Sequence, residues 1–329
     1  MTTGLGIIGA GIMGERLLRA AREHASDLVH VTGVWDPAQA ARDRIVSVMP
    51  GTTVADSAAA VIEGAELVYV ASPPATHLGY AGAALARGRA VLCEKPLAID
   101  VAEAVRFVAG HPTARAAVNF PFASSAAVDR LAVWLREGAV GAPQSLAIEV
   151  AFAAWPRRWQ QDAAAWLDGP AEGGFTREVV SHFLFLARRL LGVLVLTEAH
   201  AEFDAAGGSE RAMRASLTAG GVRATVRGKV GGTAAEEENS WVLRGTGAIR
   251  LRDWGYAERE RPDGSWAPDP DAIPHAEARP LTLRRQLEGA VRMTRGEAHH
   301  LATLTEALEV QLVVEKILAL TRPGSVARV

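Results

Sequence analysis

The composition of the chain excludes several classes of protein before any motif is considered. Apolar residues make up 49% of the 329 residues and charged residues 22%, and the net charge is −2, which is typical of a soluble globular protein of about two domains. The sequence has no basic block and no uncharged apolar run of about 18 residues, so we expect neither a nucleic-acid partner nor a membrane span. The N-terminus lacks a signal-peptide pattern, and the single cysteine, Cys93, excludes a disulfide framework and a Cys-rich zinc module. We therefore predict a cytoplasmic protein without a metal site.

Short apolar runs alternate with helical segments from residue 4 to about residue 120. The apolar runs predict strands at Leu5–Ile8, Val29–Trp35, Leu67–Val70, Ala90–Cys93 and Ala116–Phe120. Amphipathic stretches between them predict helices over residues 15–24, 38–49, 57–62, 77–87 and 101–109. This alternation predicts an α/β domain with a doubly wound parallel sheet over residues 1–120, and the uniformly apolar strands fit helices on both faces.

The pattern changes after Pro121 and predicts a second α/β domain over residues 121–329. A helix is expected at 125–137, and longer alternating stretches predict antiparallel strands with one solvated face. These strands are expected at 145–152, 197–203, 211–218, 222–229, 240–245 and 248–254. Further helices are expected at 175–191, 281–294 and 300–320, and a Pro- and Asp-rich loop at 261–274.

A glycine fingerprint follows the first predicted strand and opens a helix. The segment Gly9-Ala10-Gly11-Ile12-Met13-Gly14 has the G-x-G-x-x-G spacing that permits a tight turn, close approach of a pyrophosphate and close helix packing. Asp36 ends the second strand, where a carboxylate accepts hydrogen bonds from the adenosine ribose and repels a 2′-phosphate. We therefore predict a Rossmann dinucleotide-binding domain that favours NAD(H), while Arg42 keeps NADP(H) open as an alternative.

Two further segments lie where loops leave the carboxyl ends of strands, and a third starts a helix. They are Ser72-Pro73-Pro74-Ala75-Thr76-His77, Glu94-Lys95-Pro96 and the stretch from Gly173-Gly174 to His182. Together with the glycine fingerprint, they resemble the Gfo/Idh/MocA oxidoreductase family. The resemblance extends over Trp241–Leu251 and His300–Leu308, and therefore over nearly the whole chain.

The resemblance implies a cofactor domain, a substrate domain with an open, mostly antiparallel sheet, and homodimers or homotetramers formed through that sheet. It also implies that Lys95 and His182 meet near the nicotinamide as proton-transfer groups. In an α-helix Glu178 and His182 are four residues apart and share a face, so Glu178 is a third candidate for catalysis or substrate binding. The predicted cofactor contacts are Gly9, Gly11, Ile12, Met13, Asp36, Ser72, Pro73, His77, Glu94, Lys95 and Asn119.

The sequence departs from the family pattern around the substrate. Val180 and Phe185 replace residues that are usually Gly and Asp. Trp166-Leu167 stands where a Trp-Arg pair usually precedes Gly173, so the arginine is either missing or replaced by one from the segment Trp155–Trp159. The segment from Trp155 to Trp159 holds two Trp and two Arg, of which Trp155 and Arg158 are predicted to bind substrate by ring stacking and by clamping a carboxylate. A surface loop is the alternative interpretation of this segment.

The leading hypothesis is an NAD(P)-dependent dehydrogenase or reductase that interconverts a small-molecule alcohol and carbonyl, or amine and imine. Two alternatives share the fold: a nicotinamide-binding regulator without catalysis, and a hydrolase that uses bound NAD for transient oxidation.

Overall fold

The computed structural model describes residues 1–204 and 207–319. The predicted helix end at residue 320 and the last ten residues of the predicted second domain lie outside the described residues. No helix in the described part of the chain is both long enough and apolar enough to cross a bilayer.

The N-terminal segment forms a parallel sheet whose strands are buried on both faces. Its strands are β1 (Thr3–Ile8), β2 (Val29–Trp35), β3 (Leu67–Val70), β4 (Ala90–Cys93) and β5 (Ala116–Val118). The helices between them are α1 (Ile12–His24), α2 (Gln39–Val48), α3 (Ala58–Gly64), α4 (His77–Ala86) and α5 (Val101–Gly110). Every residue of β1, β3, β4 and β5 is buried, as expected for parallel strands covered by helices.

The next segment forms a second, mostly antiparallel sheet. Its strands are β6 (Ser145–Phe152), β7 (Leu194–Phe203), β8 (Glu210–Ala219), β9 (Val222–Val230), β10 (Glu237–Arg244), β11 (Ala248–Arg252), β12 (Tyr256–Glu260) and β13 (Trp266–Pro268). They lie in the order β13-β12-β11-β10-β6-β9-β8-β7, and only β6 and β9 pair in parallel. The helices of this segment are α6 (Ala126–Arg136), α7 (Ala164–Leu167), a π-helical turn at Thr176–Val180 and α8 (Ser181–Leu191).

The C-terminal elements are α9 (His275–Thr294), β14 (Ala302–Thr303) and α10 (Leu304–Ala319). Strand β14 pairs antiparallel with β5 and completes a six-stranded sheet in the order β14-β5-β4-β3-β1-β2. Leu287 and Val291 of α9 pack in the same core as Leu5 and Leu17. The burial of this apolar face explains why α9 belongs with the first sheet.

The chain divides into two compact units, residues 1–124 with 276–308 and residues 125–275 with the segment from 309. The predicted fold class, a Rossmann sheet followed by an α/β domain with a mostly antiparallel sheet, is confirmed. These units differ from the predicted division into residues 1–120 and 121–329, because the chain returns to the first unit at residue 276. The roles predicted for the two domains stay predictions.

Candidate active site

The glycine loop between β1 and α1 forms an open cradle. A Cβ on Gly14 would lie 1.9 Å from the carbonyl oxygen of Gly9, so only glycine lets the helix pack this closely. Gly11 is exposed and has nothing within 4 Å of the position of a Cβ, and no side chain caps the helix that starts at Ile12. The N–H groups at the start of this helix adjoin an open position, and such groups bind the pyrophosphate of a dinucleotide. Ile12 and Met13, also predicted to contact the cofactor, are half-buried in this first turn.

Asp36 is fixed beside this cradle by two backbone hydrogen bonds. Its Oδ2 accepts the N–H of Ala10 at 2.9 Å, and its Oδ1 accepts the N–H of Ala38 at the start of α2 at 2.9 Å. Each carboxylate oxygen has a further lone pair. The side chain is therefore both oriented and able to accept ribose hydroxyls.

Two arginines of α2 contact the loops that follow β1 and β2. Arg42 donates to the carbonyl oxygens of Asp36 and Pro37, the latter at 3.1 Å. Arg44, which sequence reasoning missed, donates to the Ala10 carbonyl oxygen at 2.5 Å and pairs with Glu15. The position of Arg44 within the predicted helix is the one sequence signal for it. The contact itself depends on how this helix packs against the glycine loop.

A buried histidine joins the loops that follow β3 and β4. Nδ1 of His77 lies 2.7 Å from the carbonyl oxygen of Pro96, and Nε2 lies 2.7 Å from the carbonyl oxygen of Ser72. Ser72 also accepts a hydrogen bond from the Thr76 hydroxyl at 2.7 Å. Because β3 and β4 are neighbours in the sheet, this ring fixes the segment that carries Lys95 against the segment that carries Ser72 and Pro73. Lys95 itself is half-buried.

Glu94 and Asn119 belong to a buried polar network. Glu94 Oε1 accepts the Tyr69 hydroxyl and the Asn119 amide, the amide at 2.6 Å. The Asn119 amide oxygen accepts a hydrogen bond from Gln286 of α9. Burial, followed by the charge of Glu94, raises the pKa of Tyr69 well above its ordinary value. These contacts anchor the end of β4 in the core, whereas the cofactor contacts predicted for Glu94 and Asn119 stay predictions.

Cys93, two residues before Lys95, is a buried free thiol. Burial and the charge of Glu94 raise the pKa of this thiol. A thiol that resists ionisation is a poor nucleophile, so Cys93 acts as a small apolar residue in the strand.

The helix that carries Glu178 and His182 starts with a π-helical turn rather than the single α-helix expected from the sequence. The N–H of Ser181 donates to the carbonyl oxygen of Thr176 across the turn, and such turns are common at functional sites. From Gly173 to Ala187 every residue is buried except Glu178, which is half-buried. The predicted shared face of Glu178 and His182 assumed regular α-helical spacing and does not follow for a π-helical turn.

A buried carboxylate that the sequence did not reveal supports this turn. Glu210 of β8 is fully buried, and its Oε1 accepts the N–H of Thr176 at 2.6 Å. Burial raises the pKa of Glu210, and the hydrogen bond from Thr176 opposes this shift. Glu210 therefore holds the start of the helix that bears Glu178 and His182.

In the Trp155–Trp159 segment, the two predicted substrate residues lie in different environments. Trp155 is buried against Phe152 and Phe175, and its indole N–H donates to the Leu167 carbonyl oxygen at 3.2 Å. Arg158 is exposed and uses its backbone N–H to contact Glu236. The buried arginine of the segment is Arg157, which pairs with Glu237.

Comparison with known proteins gives a family match to the N-terminal part of the chain. Residues 3–118 match the GFO_IDH_MocA model, an oxidoreductase family with an NAD-binding Rossmann fold. The match includes the glycine cradle, Asp36, His77 and Lys95, whereas Asn119, Glu178 and His182 lie beyond it.

Curated relatives match part of the chain. The chain is 38% identical over 102 residues to the rhizopine catabolism protein MocA of Rhizobium meliloti, covering 30% of this chain and 31% of that protein. It is 38% identical over 107 residues to an inositol 2-dehydrogenase of Streptomyces avermitilis, covering 32% and 31%. These matches span about a third of the length of the relatives.

Similarity of fold extends over both units. An oxidoreductase from Agrobacterium radiobacter, solved with NAD+, L-tartaric acid and magnesium, matches 97% of this chain and 97% of its own with a TM-score of 0.78 and 18% identity. The family model therefore covers residues 3–118, and this solved structure shows likeness of fold over nearly the whole chain.

Proposed function

We propose that the chain is an oxidoreductase that transfers a hydride between a nicotinamide dinucleotide and a small molecule. The reacting group is an alcohol or carbonyl, or an amine or imine. The glycine cradle and the oriented Asp36 carboxylate beside it carry this proposal, because together they fit the pyrophosphate and the adenosine ribose. When bound, NAD(H) accepts or supplies the hydride.

NAD(H) is the proposed cofactor, because a carboxylate at the position of Asp36 repels a 2′-phosphate. NADP(H) is the alternative, since Arg42 contacts the loop after β2 and Arg44 contacts the glycine loop after β1. The family description, an NAD-binding Rossmann fold over residues 3–118, supports this order of preference.

Lys95 is the proposed proton-transfer group. Oxidation of an alcohol carbon requires a matching proton transfer at its oxygen, and Lys95 Nζ accepts that proton or returns it during reduction. Its position supports this role, because it leaves the carboxyl end of β4 beside the loop after β3, the edge where such sheets bind ligands.

His182 and Glu178 complete the proposal from the second unit. His182 shares the proton transfer, since an imidazole can both donate and accept a proton. Glu178 accepts a hydrogen bond from a substrate hydroxyl. Its half-buried position within an otherwise buried stretch supports this role. The proposal requires both residues to reach the substrate that Lys95 contacts, and Trp155 and Arg158 stay candidates for further substrate contacts.

The similarity to inositol 2-dehydrogenases makes a cyclic polyol the first substrate class to assay. The bulky Val180 and Phe185, in place of a small and an acidic residue, favour less polar hydroxy or keto compounds as the second class. Assembly through the eight-stranded sheet stays a prediction of the family resemblance.

Lys95→Ala provides the test, with the exposed Lys229 of β9 as the site of a matched control substitution. Loss of the proton-transfer group should lower kcat by about 10²–10⁴-fold, while the NADH affinity measured by fluorescence stays largely intact, because the glycine cradle and Asp36 remain. Lys229→Ala should leave both quantities as in the native protein.

Near-native turnover by the Lys95→Ala protein would overturn the assignment of Lys95. Tight NADH binding without oxidation or reduction of any compound in an alcohol and carbonyl panel would favour the regulator. Product formation without net change in nicotinamide absorbance would favour the hydrolase.

A further inference from the structure

The hairpin between β11 and β12 holds an unusual backbone conformation. Asp253 and Trp254 have φ values of +47° and +66°, and they are the non-glycine residues with positive φ in the described part of the chain. Bulky side chains rarely adopt this left-handed conformation. Strained residues persist only where their surroundings hold them in place, and they concentrate at functional sites.

Strand β10 holds Trp254 in this conformation through two side chains. The Trp254 backbone N–H donates to Asn239 Oδ1 at 3.2 Å, and its indole N–H donates to Glu237 Oε1 at 2.6 Å. Asn239 also donates to Glu237 Oε1 at 3.1 Å. The backbone and the ring of Trp254 are therefore fixed by neighbouring positions of one strand.

Arg157 supports the same arrangement from the other side of Glu237. Its guanidinium lies 2.7 Å from Glu237 Oε2, and the arginine side chain is buried. A carboxylate bonded at both oxygens has little freedom to rotate. The polar network thus connects the Trp155–Trp159 segment to the indole of Trp254.

The fixed indole packs against the proposed proton-transfer residue of the second unit. The ring centroids of Trp254 and His182 are 5.4 Å apart with an interplanar angle of 73°, and Phe183 packs on the same indole at 5.3 Å. This edge-to-face arrangement is a favourable geometry for aromatic pairs. Because the terminal torsion of a histidine side chain is broad, packing against the indole restricts the directions in which the ring nitrogens point.

We propose that Trp254 is a positioning residue for His182. In this proposal, which rests on the proposed function, the strained hairpin delivers the indole, Glu237 and Asn239 lock it, and the locked indole orients the imidazole for proton transfer. Trp254 acts through His182 rather than on the substrate, so its effect on turnover depends on the presence of His182.

The experiment is a double-mutant cycle on kcat with Trp254→Ala and His182→Ala, using the full chain and the best substrate found in the dehydrogenase assay. Trp254→Ala should lower kcat about ten- to a hundredfold, as expected for a misplaced catalytic group, while the NADH dissociation constant stays unchanged. In the His182→Ala background the same substitution should change kcat by less than about twofold, because coupled residues are non-additive. Trp254→Phe keeps an aromatic ring beside His182 and should retain more activity than Trp254→Ala.

Trp266→Ala is the matched control, since Trp266 is a half-buried indole of the same sheet that lies over Arg250. It should leave kcat within about twofold of the native value, as expected of a distant site. Equal losses of kcat from Trp254→Ala with and without His182 would overturn the proposal, because a general structural defect acts independently of the imidazole.

The two proposals fail in different ways. A native protein with no dinucleotide-linked activity, or a fully active Lys95→Ala protein, contradicts the proposed function. An active native protein that requires Lys95 but shows an additive Trp254–His182 cycle contradicts the positioning role alone. Circular dichroism spectra and melting temperatures of all variants show whether a loss comes from unfolding.

Discussion

Gly174, at the start of the helix that bears Glu178 and His182, makes a strong prediction about stability. Its φ is +98°, and a Cβ at this position would lie 2.2 Å from Glu210 Oε2 and 2.7 Å from Glu210 Oε1. Glu210 is fully buried, and its Oε1 holds the N–H of Thr176. The carboxylate therefore has no solvent to swing into, and Gly174→Ala must displace either Glu210 or the helix start.

The expected cost has two parts. An L-residue in the left-handed region costs about 1–2 kcal/mol, and an overpacked buried site costs about 1–3 kcal/mol. We therefore expect Gly174→Ala to lower the free energy of unfolding by about 2–5 kcal/mol. That is a large part of the roughly 5–15 kcal/mol of a typical domain.

The assay is urea unfolding followed by tryptophan fluorescence. All tryptophans except Trp35, seven of the eight, lie in the second compact unit, so the signal reports mainly on the unit that holds Gly174. Gly221→Ala is the control, because Gly221 has a φ of +85° and nothing within 4 Å of a Cβ. The control carries the backbone cost without the steric overlap.

A second variant isolates the contact with the carboxylate. Glu210→Ala removes the overlapping oxygens, although it leaves the Thr176 N–H unsatisfied at about 1–3 kcal/mol. In the double variant the steric overlap is absent. The sum of the losses in unfolding free energy of the two single variants should therefore exceed the loss of the double variant by about 1–3 kcal/mol. The reasoning is refuted if Gly174→Ala costs no more than Gly221→Ala, or if the two costs add to within about 0.5 kcal/mol.

Two further predictions concern charged groups of the first unit. Asp36→Ser keeps an oxygen that can cap Ala38 but removes the negative charge, so the ratio of NADPH to NADH affinity should rise at least about tenfold; an unchanged ratio in fluorescence titrations would contradict the role of Asp36. The bidentate contact with Arg284, at 2.6 and 2.7 Å, lowers the pKa of Asp27 from 3.8 to about 2. An ion pair that lowers a carboxyl pKa in the folded state stabilises the protein fully above the unfolded-state pKa, and this stabilisation is lost as the pH falls through the folded-state pKa. Asp27→Asn should therefore lower the midpoint of urea unfolding at pH 6. That deficit should shrink as pH falls from 3.8 towards 2, and a constant deficit would exclude the ion pair as its source.

Most of the first sheet could be predicted because its signals are local. The strands Leu67–Val70 and Ala90–Cys93 have the predicted bounds, since buried parallel strands form uninterrupted apolar runs bounded by polar segments. Val29–Trp35 also has the predicted bounds, although it is only partly buried. Ser145–Phe152 was predicted with equal accuracy, because its alternating burial matches the two-residue period of a strand with one solvated face.

The return of the chain to the first unit could not be predicted from such signals. Hydrophobic periodicity shows that α9 has an apolar face, but it does not show which sheet receives that face. The pairing of β14 with β5 joins Ala302 to Val118, and the Gln286–Asn119 hydrogen bond joins residues 167 positions apart in sequence. Short strands such as β13 and β14 also have too few residues to show a period.

The candidate site likewise contains residues that the sequence predicts and residues that it does not. The glycine fingerprint, Asp36 and Lys95 were found because each lies in a short motif whose chemistry depends on consecutive residues. Glu210, Arg44 and Trp254 were missed because each acts through a contact between elements that are distant in sequence. Asp253-Trp254-Gly255 has no turn signature that would place a tryptophan at positive φ, so only the structure places its indole against His182. If the positioning role is correct, a part of the reactivity of His182 resides in a hairpin some seventy residues away, and substitutions at Glu237 or Asn239 should alter turnover although neither residue belongs to a recognised motif.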